Sequence, residues 1–367
     1  MRLVVSGGGT GGHIFPALAV AHALRAAQPS VELAYVGGAR GMERRLVGAA
    51  GEPAYHQLLV RSLRTTGRDA HLVLDPIRLG LSVPQAYGLL ERLRPAAVFT
   101  TGGYLALPLV AAARARGIPS IVWEGNVIPG RATRAVGRMA TRVAVSFPPT
   151  LRAFDQRAFV SGTPIRSLAG IDRSAARASL GVAPNDRLLL VFGGSQAVAR
   201  MTTAVHGALS SVTQDWVIVH LAGEAGMAAA LLAAEQLPAV QRARYRPLPF
   251  LTDGMADALV AADLVLGRAG SSTCAEVTAV GIASILVPYP HAGDHQRANA
   301  AWLADQGAAR VVDDADLSPG RLEAELDELR DPAVRRALAD AARALGQPAA
   351  ADVIAAALLE LARPYRA

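Results

Sequence analysis

Short apolar runs rich in Val and Leu alternate along this chain with longer Ala/Leu/Arg-rich stretches of helical pattern. This alternation constrains the fold more than any other feature, because it is the mark of a parallel sheet with crossover helices. Strands are predicted at Leu3–Ser6, Leu33–Val36, Ala97–Thr100, Ser120–Trp123 and Arg142–Val145. A second series is predicted at Leu188–Phe192, Val217–Leu221, Leu264–Leu266 and Ser284–Val287. The two series predict an α/β chain with two Rossmann-like sheets, and 367 residues suit two domains better than one core. The boundary is placed at Gly162-Thr163-Pro164, giving domains 1–163 and 164–346. An apolar helix over Asp352–Leu361, within 347–367, is expected to pack back on the first domain.

Charge separates the two halves. All 37 basic residues are arginine, which excludes a P-loop lysine and Schiff-base chemistry. Residues 1–163 hold 19 Arg against 8 Asp and Glu, whereas residues 164–367 hold 18 against 22. A basic lobe suits nucleic acid or an anionic lipid surface. No nucleic-acid-binding motif is present, so no nucleic-acid partner is expected and the membrane surface is favoured. Mean hydropathy is +0.27, yet Pro, Gly or Arg interrupts each apolar stretch before the roughly 18 residues that suggest a span. Met1–Ser6 run straight into a strand with no leader pattern, and Cys274 is the sole cysteine, so neither a disulfide nor a cysteine-based metal cluster can form. A cytoplasmic location is expected.

Glycine-rich junctions follow several predicted strands. Gly7-Gly8-Gly9-Thr10-Gly11-Gly12-His13 leads into a helix, where backbone amides can approach an anion or a sugar. Gly7, Gly9 and Gly12 formally fit the dinucleotide pattern. The second strand, however, closes with Tyr35-Val36-Gly37-Gly38 and lacks the acidic residue that would hold a ribose. Similar junctions recur at Thr101–Tyr104, Gly193–Gln196 and Gly267–Thr273. Ligands of open parallel sheets bind beyond the carboxyl ends of the strands, so facing sheets would aim all four loops into one cleft.

The block from Gly8 to Ala19 resembles the opening of the MurG family, the UDP-N-acetylglucosamine transferases of peptidoglycan synthesis, in glycosyltransferase family 28. The resemblance continues in family order through Thr101–Tyr104, Glu124–Gly130, Gly162–Arg166, Gly193–Gln196, Arg268–Glu276 and Asp294–Asn299. The chain departs from the family's usual residues at Gly125, Thr163 and Ala197, and at Ala106 and Leu107 before Pro108. The resemblance implies the GT-B fold, two Rossmann-like domains facing each other across a cleft. It implies an inverting transfer of GlcNAc from UDP-GlcNAc to the 4-hydroxyl of the lipid-linked acceptor lipid I, giving lipid II. Cell-wall synthesis, cell shape and cell division are the implied processes, at the cytoplasmic face of the membrane with possible cell-wall partner proteins.

Site residues follow from the same blocks. Glu276, on the helix opened by Gly270, can accept ribose hydroxyls while Ser271, Ser272 and Thr273 face phosphate. Leu251 beside Phe250 would contact uracil; Ser195 and Arg166 would hold phosphate; Gln296, assisted by Asn299, would bind the sugar. Thr10, Gly11, Gly12 and Asn126 complete the donor contacts, and Gly102, Gly103 and Tyr104 are implied to bind acceptor. His13, at a helix N-terminus that disfavours the imidazolium, is the leading general base, with Glu124 second. No cofactor is expected, and no Asp-x-Asp pattern suggests a metal. Three other readings compete: a UDP-GlcNAc 2-epimerase, which can share this architecture, a glycolipid transferase with another acceptor, and a non-catalytic nucleotide-binding protein.

Overall fold

The apolar stretches Leu3-Val4-Val5 and Ala97-Val98-Phe99 become adjacent central strands of a parallel sheet, buried on both faces. The computed structural model of the chain describes residues 1–38, 43–49, 51, 54–60, 71–193, 199–251, 254–291 and 293–363, with only the backbone at 43, 49 and 71–79. The first sheet comprises β1 (Arg2–Ser6), β2 (Glu32–Gly38), β3 (Tyr55–Leu58), β4 (Ala97–Thr100), β5 (Ser120–Glu124), β6 (Arg142–Val145) and β7 (Ala158–Val160). Their spatial order is β3-β2-β1-β4-β5-β6-β7, and every pairing is parallel. Helices α1 (Gly11–Ala27), α2 (Glu43–Ala49), α3 (His71–Leu93), α4 (Ala106–Ala115) and α5 (Arg131–Gly137) alternate with these strands. Alternate residues of β1 face opposite layers. Leu3 and Val5 pack with α1, while Val4 joins Leu90 of α3 and Leu109 of α4.

The second sheet holds β8 (Arg187–Phe192), β9 (Trp216–Leu221), β10 (Tyr245–Leu248), β11 (Leu264–Arg268), β12 (Ala283–Val287) and β13 (Arg310–Val311), in the order β10-β9-β8-β11-β12-β13. Its helices are α6 (Arg173–Ser179), α7 (Ala199–Val212), α8 (Met227–Glu235), α9 (Ala239–Arg242), α10 (Met255–Ala261), α11 (Ser271–Val280), α12 (His295–Asp305), α13 (Pro319–Glu328) and α14 (Pro332–Leu345), followed by α15 (Ala350–Ala362). Contacts divide the chain into Met1–Arg166 with Pro348–Ala367, and Ser167–Gln347. Arg166 thus belongs to the first unit, beyond the Thr163 boundary expected from the sequence. Helix α15 seats Ile354 and Leu358 in the core shared by α1 and β1.

Pro332–Ala362 is apolar and long enough to cross a membrane by length and composition. It is two helices interrupted after Leu345, of 14 and 13 residues, each shorter than the roughly 20 that a bilayer core requires. In both sheets the strand order reverses once, between β1 and β4 and between β8 and β11. Open α/β sheets bind ligands in the crevice outside the carboxyl ends at such a reversal, so the topology alone marks four loops.

Candidate active site

At the first reversal, Ser6 of β1 lies in register with Thr100 of β4, so their exit loops begin side by side. Thr10 caps α1 with an extended backbone but makes no side-chain cap bond, and the first turn carries no acidic residue. Such an end favours an anionic or strongly polar ligand. The expected contacts Thr10 and Gly12 are exposed there, and Gly11 is half-buried.

His13 and Thr101 hold each other by two bonds across this crevice. The His13 imidazole is 2.7 Å through Nδ1 from the Thr101 carbonyl oxygen, and the Thr101 hydroxyl donates to the His13 carbonyl at 2.9 Å. A carbonyl only accepts, so Nδ1 carries the proton and the lone pair of the neutral ring resides on Nε2. Gly7 is what allows the approach, since a Cβ there would lie 2.4 Å from the His13 oxygen and 2.7 Å from Thr101 Oγ1. Gly102 and Gly103 follow with φ of +80° and +72°, and a Cβ on Gly103 would sit 3.7 Å from His13 Nε2. Tyr104 packs beside Gly9, on the layer that contains Leu105 and Leu109.

Glu124 ends β5 and is buried, 4% exposed. Its Oε1 accepts from the Asn126 backbone N and Nδ2, both at 3.0 Å, and its Oε2 accepts from Gly130 N at 3.0 Å. The carboxylate therefore closes the 124–130 loop on itself and fixes which way the Asn126 amide faces. Thr150 adds a hydroxyl bond to the Asn126 carbonyl at 3.0 Å. Arg166, the last residue of this unit, stacks its guanidinium 5.5 Å over the Phe15 ring of α1.

In the second unit, α11 starts directly after β11. Gly270 is its N-cap, no side chain caps it, and Ser271, Ser272 and Thr273 form its half-buried first turn. Glu276, one turn on, is buried. The amide oxygen of Gln296, on α12, accepts from Tyr289 N at 2.9 Å, which leaves the Nε2 group of the same amide to act as donor. Asn299 is fully buried and donates to the Ala269 carbonyl at 3.2 Å, so it braces the β11 exit from beneath. Leu251 packs half-buried against the core around Leu259 and Val219, whereas Phe250 is 64% exposed. Ser195 lies outside the described residues.

One feature of the second unit went unread in the sequence. Arg268, at the end of β11, is buried, makes a 2.6 Å ion pair with Asp314, and stacks 5.5 Å from the Tyr289 ring. It links the β11 exit to the loop after β12, whose Tyr289 N–H holds Gln296. Cys274 is buried within α11, and burial pushes its thiol up to about 12, which makes it an inert packing residue. Arg268 lies within a block quoted above, but nothing in its spacing names Asp314 as its partner.

A model of the glycosyltransferase family 28 N-terminal domain matches residues 3–145, and one of the C-terminal domain of the same family matches residues 188–355. The UDP-N-acetylglucosamine--N-acetylmuramyl-(pentapeptide) pyrophosphoryl-undecaprenol N-acetylglucosamine transferase of Moorella thermoacetica is 37% identical, over 98% of this chain and 99% of its own length. The protein of the same name from a Nocardioides species is 39% identical over 98% of both chains. The crystal structure of Acinetobacter baumannii MurG superposes with a TM-score of 0.78 at 30% identity, covering 98% of this chain and 99% of that one. Two parallel sheets, each with one reversal and uncapped helix ends beside it, are therefore the halves of a GT-B enzyme, and the chain belongs to glycosyltransferase family 28.

Proposed function

We propose that this enzyme transfers N-acetylglucosamine from UDP-GlcNAc to the 4-hydroxyl of the muramyl sugar in lipid I, forming lipid II for peptidoglycan synthesis. The observation that supports the chemistry is the His13–Thr101 contact, in which the Nδ1 of a neutral ring donates to the carbonyl and its lone pair lies on Nε2, the atom this reading assigns to the acceptor hydroxyl. The hydroxyl gives its proton to Nε2 as its oxygen bonds to the anomeric carbon. The bond from that carbon to the diphosphate oxygen breaks, UDP leaves with the electron pair, and the configuration inverts. Full-length relatives named for this reaction support the reading.

The second unit holds the donor. Glu276 accepts from the ribose hydroxyls, Leu251 contacts the uracil, and the α11 N-terminus with Ser271, Ser272 and Thr273 faces the diphosphate. Arg166 and Ser195 add phosphate contacts, and Gln296 donates to the sugar. Thr10, Gly11, Gly12 and Asn126 approach the sugar from the first unit, while Gly102, Gly103 and Tyr104 receive the acceptor. Glu124 serves by holding Asn126. Incubation with labelled UDP-GlcNAc and a short-chain lipid I should give labelled lipid II. Conversion of UDP-GlcNAc to its 2-epimer, or release of UDP without labelled lipid, would refute the assignment.

Because the acceptor is lipid-linked, the enzyme works peripherally at the cytoplasmic face of the membrane, where cell-wall partners that shape and divide the cell can recruit it. The basic excess of residues 1–163 supports docking on anionic lipid through the segment from Arg61 to Leu81. Arg61, Arg64 and Arg68 lie outside the described residues, as do the side chains of Leu72, Val73, Leu74, Ile77, Arg78 and Leu79. Leu59 and Leu81, at either end of the segment, are 61% and 65% exposed. Wild-type protein should co-sediment with anionic vesicles at low salt, and changing Arg64 and Arg68 to Glu together should release it without weakening UDP binding. Failure of the wild type to co-sediment removes the docking proposal.

A further inference from the structure

We propose that Thr101 is a positioning residue for His13, holding the imidazole at the depth and angle at which its Nε2 meets the acceptor hydroxyl; this rests on His13 acting as the base. Three observations carry it. The contact joins residues 88 apart in sequence and runs in both directions, ring to carbonyl at 2.7 Å and hydroxyl to carbonyl at 2.9 Å. Thr101 is itself fixed: it is 1% exposed, and its backbone N donates to the Ser6 carbonyl at 3.0 Å. The Thr101 bond also falls beside a gap in the first turn of α1. Pro16 has no N–H to offer the Gly12 carbonyl, and the Thr101 hydroxyl bonds the next carbonyl along from outside the helix. One residue thus sets both the backbone position of His13 and the orientation of its ring. Misplacing a catalytic group by a fraction of an ångström slows reaction without weakening binding to a distant pocket.

Thr101→Val keeps the side-chain volume and the carbonyl but removes the hydroxyl. It should lower kcat by about tenfold while leaving the calorimetric Kd of UDP unchanged, since the uracil and ribose contacts proposed above lie on the other unit. Thr101→Ser restores the donor and should recover most of the turnover. His13→Ala, measured alongside, separates the two ideas. If His13→Ala keeps near-normal turnover, the base assignment falls and the inference with it. If His13→Ala loses turnover while Thr101→Val turns over like wild type, even with a lower melting temperature, Thr101 is only a structural contact and the inference alone is overturned. A Ser variant as slow as the Val variant overturns it too.

Discussion

A methyl group added at Gly103 would sit 3.7 Å from His13 Nε2, on a backbone with φ of +72° that side chains rarely adopt. Gly103→Ala should therefore act at the proposed base, both by setting a methyl against the nitrogen that an acceptor hydroxyl would approach and by straining the loop by about 1 kcal/mol or more. We expect at least a tenfold loss of kcat with UDP affinity in the second unit unaltered; near-normal turnover would place the acceptor hydroxyl elsewhere. The sequence exposes this glycine pair, because Gly-Gly after an apolar run announces a turn that other residues cannot make. It does not expose Thr101, since a threonine ending a strand is accounted for by β-propensity alone and its partner lies 88 residues away. Glu124 shows another limit: the sequence offers the carboxylate as a second base and gives no sign of the three bonds to Asn126 and Gly130 by which it clamps the loop. Residue types were legible, and the partners that assign their work were not.

Among the elements, the strands that apolar runs do not reveal are β3, β7, β10 and β13, which are the four edges of the two sheets. Edge strands need only one paired side, so these are short, three residues in Ala-Phe-Val of β7 and two in Arg-Val of β13, or carry polar residues, as in Tyr-His-Gln-Leu of β3 and Tyr-Arg-Pro-Leu of β10. The central strands, apolar on both faces, were readable for the converse reason. β10 also contributes to a buried polar cluster that links it to β9 and α7. The Tyr245 hydroxyl lies 2.9 Å from His220 Nδ1 and 3.2 Å from His206 Nε2, so it donates to one ring and accepts from the other while both are neutral. Burial, and then the neighbouring His206, lower the His220 pKa to about 4; burial alone lowers that of His206 and raises that of Tyr245. A histidine whose folded pKa is depressed contributes stability above its unfolded value near 6.5, and this is lost as pH falls from there toward 4. His220 should account for on the order of 2–3 kcal/mol of acid destabilisation over that window. His220→Phe should flatten the dependence of the urea midpoint on pH between 6.5 and 4. A variant as acid-sensitive as the wild type would assign the effect to other groups.

At the scale of the whole molecule, the chain leaves its first unit at Arg166, builds the second, and returns to complete the first with α15. Ile354, Ala355, Leu358 and Ala362 enter the core formed by Leu3, Val5, Ile14, Leu24 and Phe99, and Leu358 and Ile354 are fully buried there. The apolar pattern of 352–361 made a helix legible in the sequence. Its seat was not, because an amphipathic stripe states that a face must be covered without saying by what. The first unit's core thus depends on residues synthesised after the second unit, so it stays incomplete until that unit has emerged. Leu358→Ala should cost about 2–5 kcal/mol through the cavity it leaves, and the loss should fall on the first unit. In scanning calorimetry UDP, which the proposed function assigns to the second unit, should raise one transition in both proteins, while the substitution lowers the other and leaves the UDP dissociation constant unchanged. If Leu358→Ala lowers both transitions equally, or weakens UDP binding as much as it destabilises the fold, the two units melt as one cooperative body and α15 is a tie between them, not a part of the first alone.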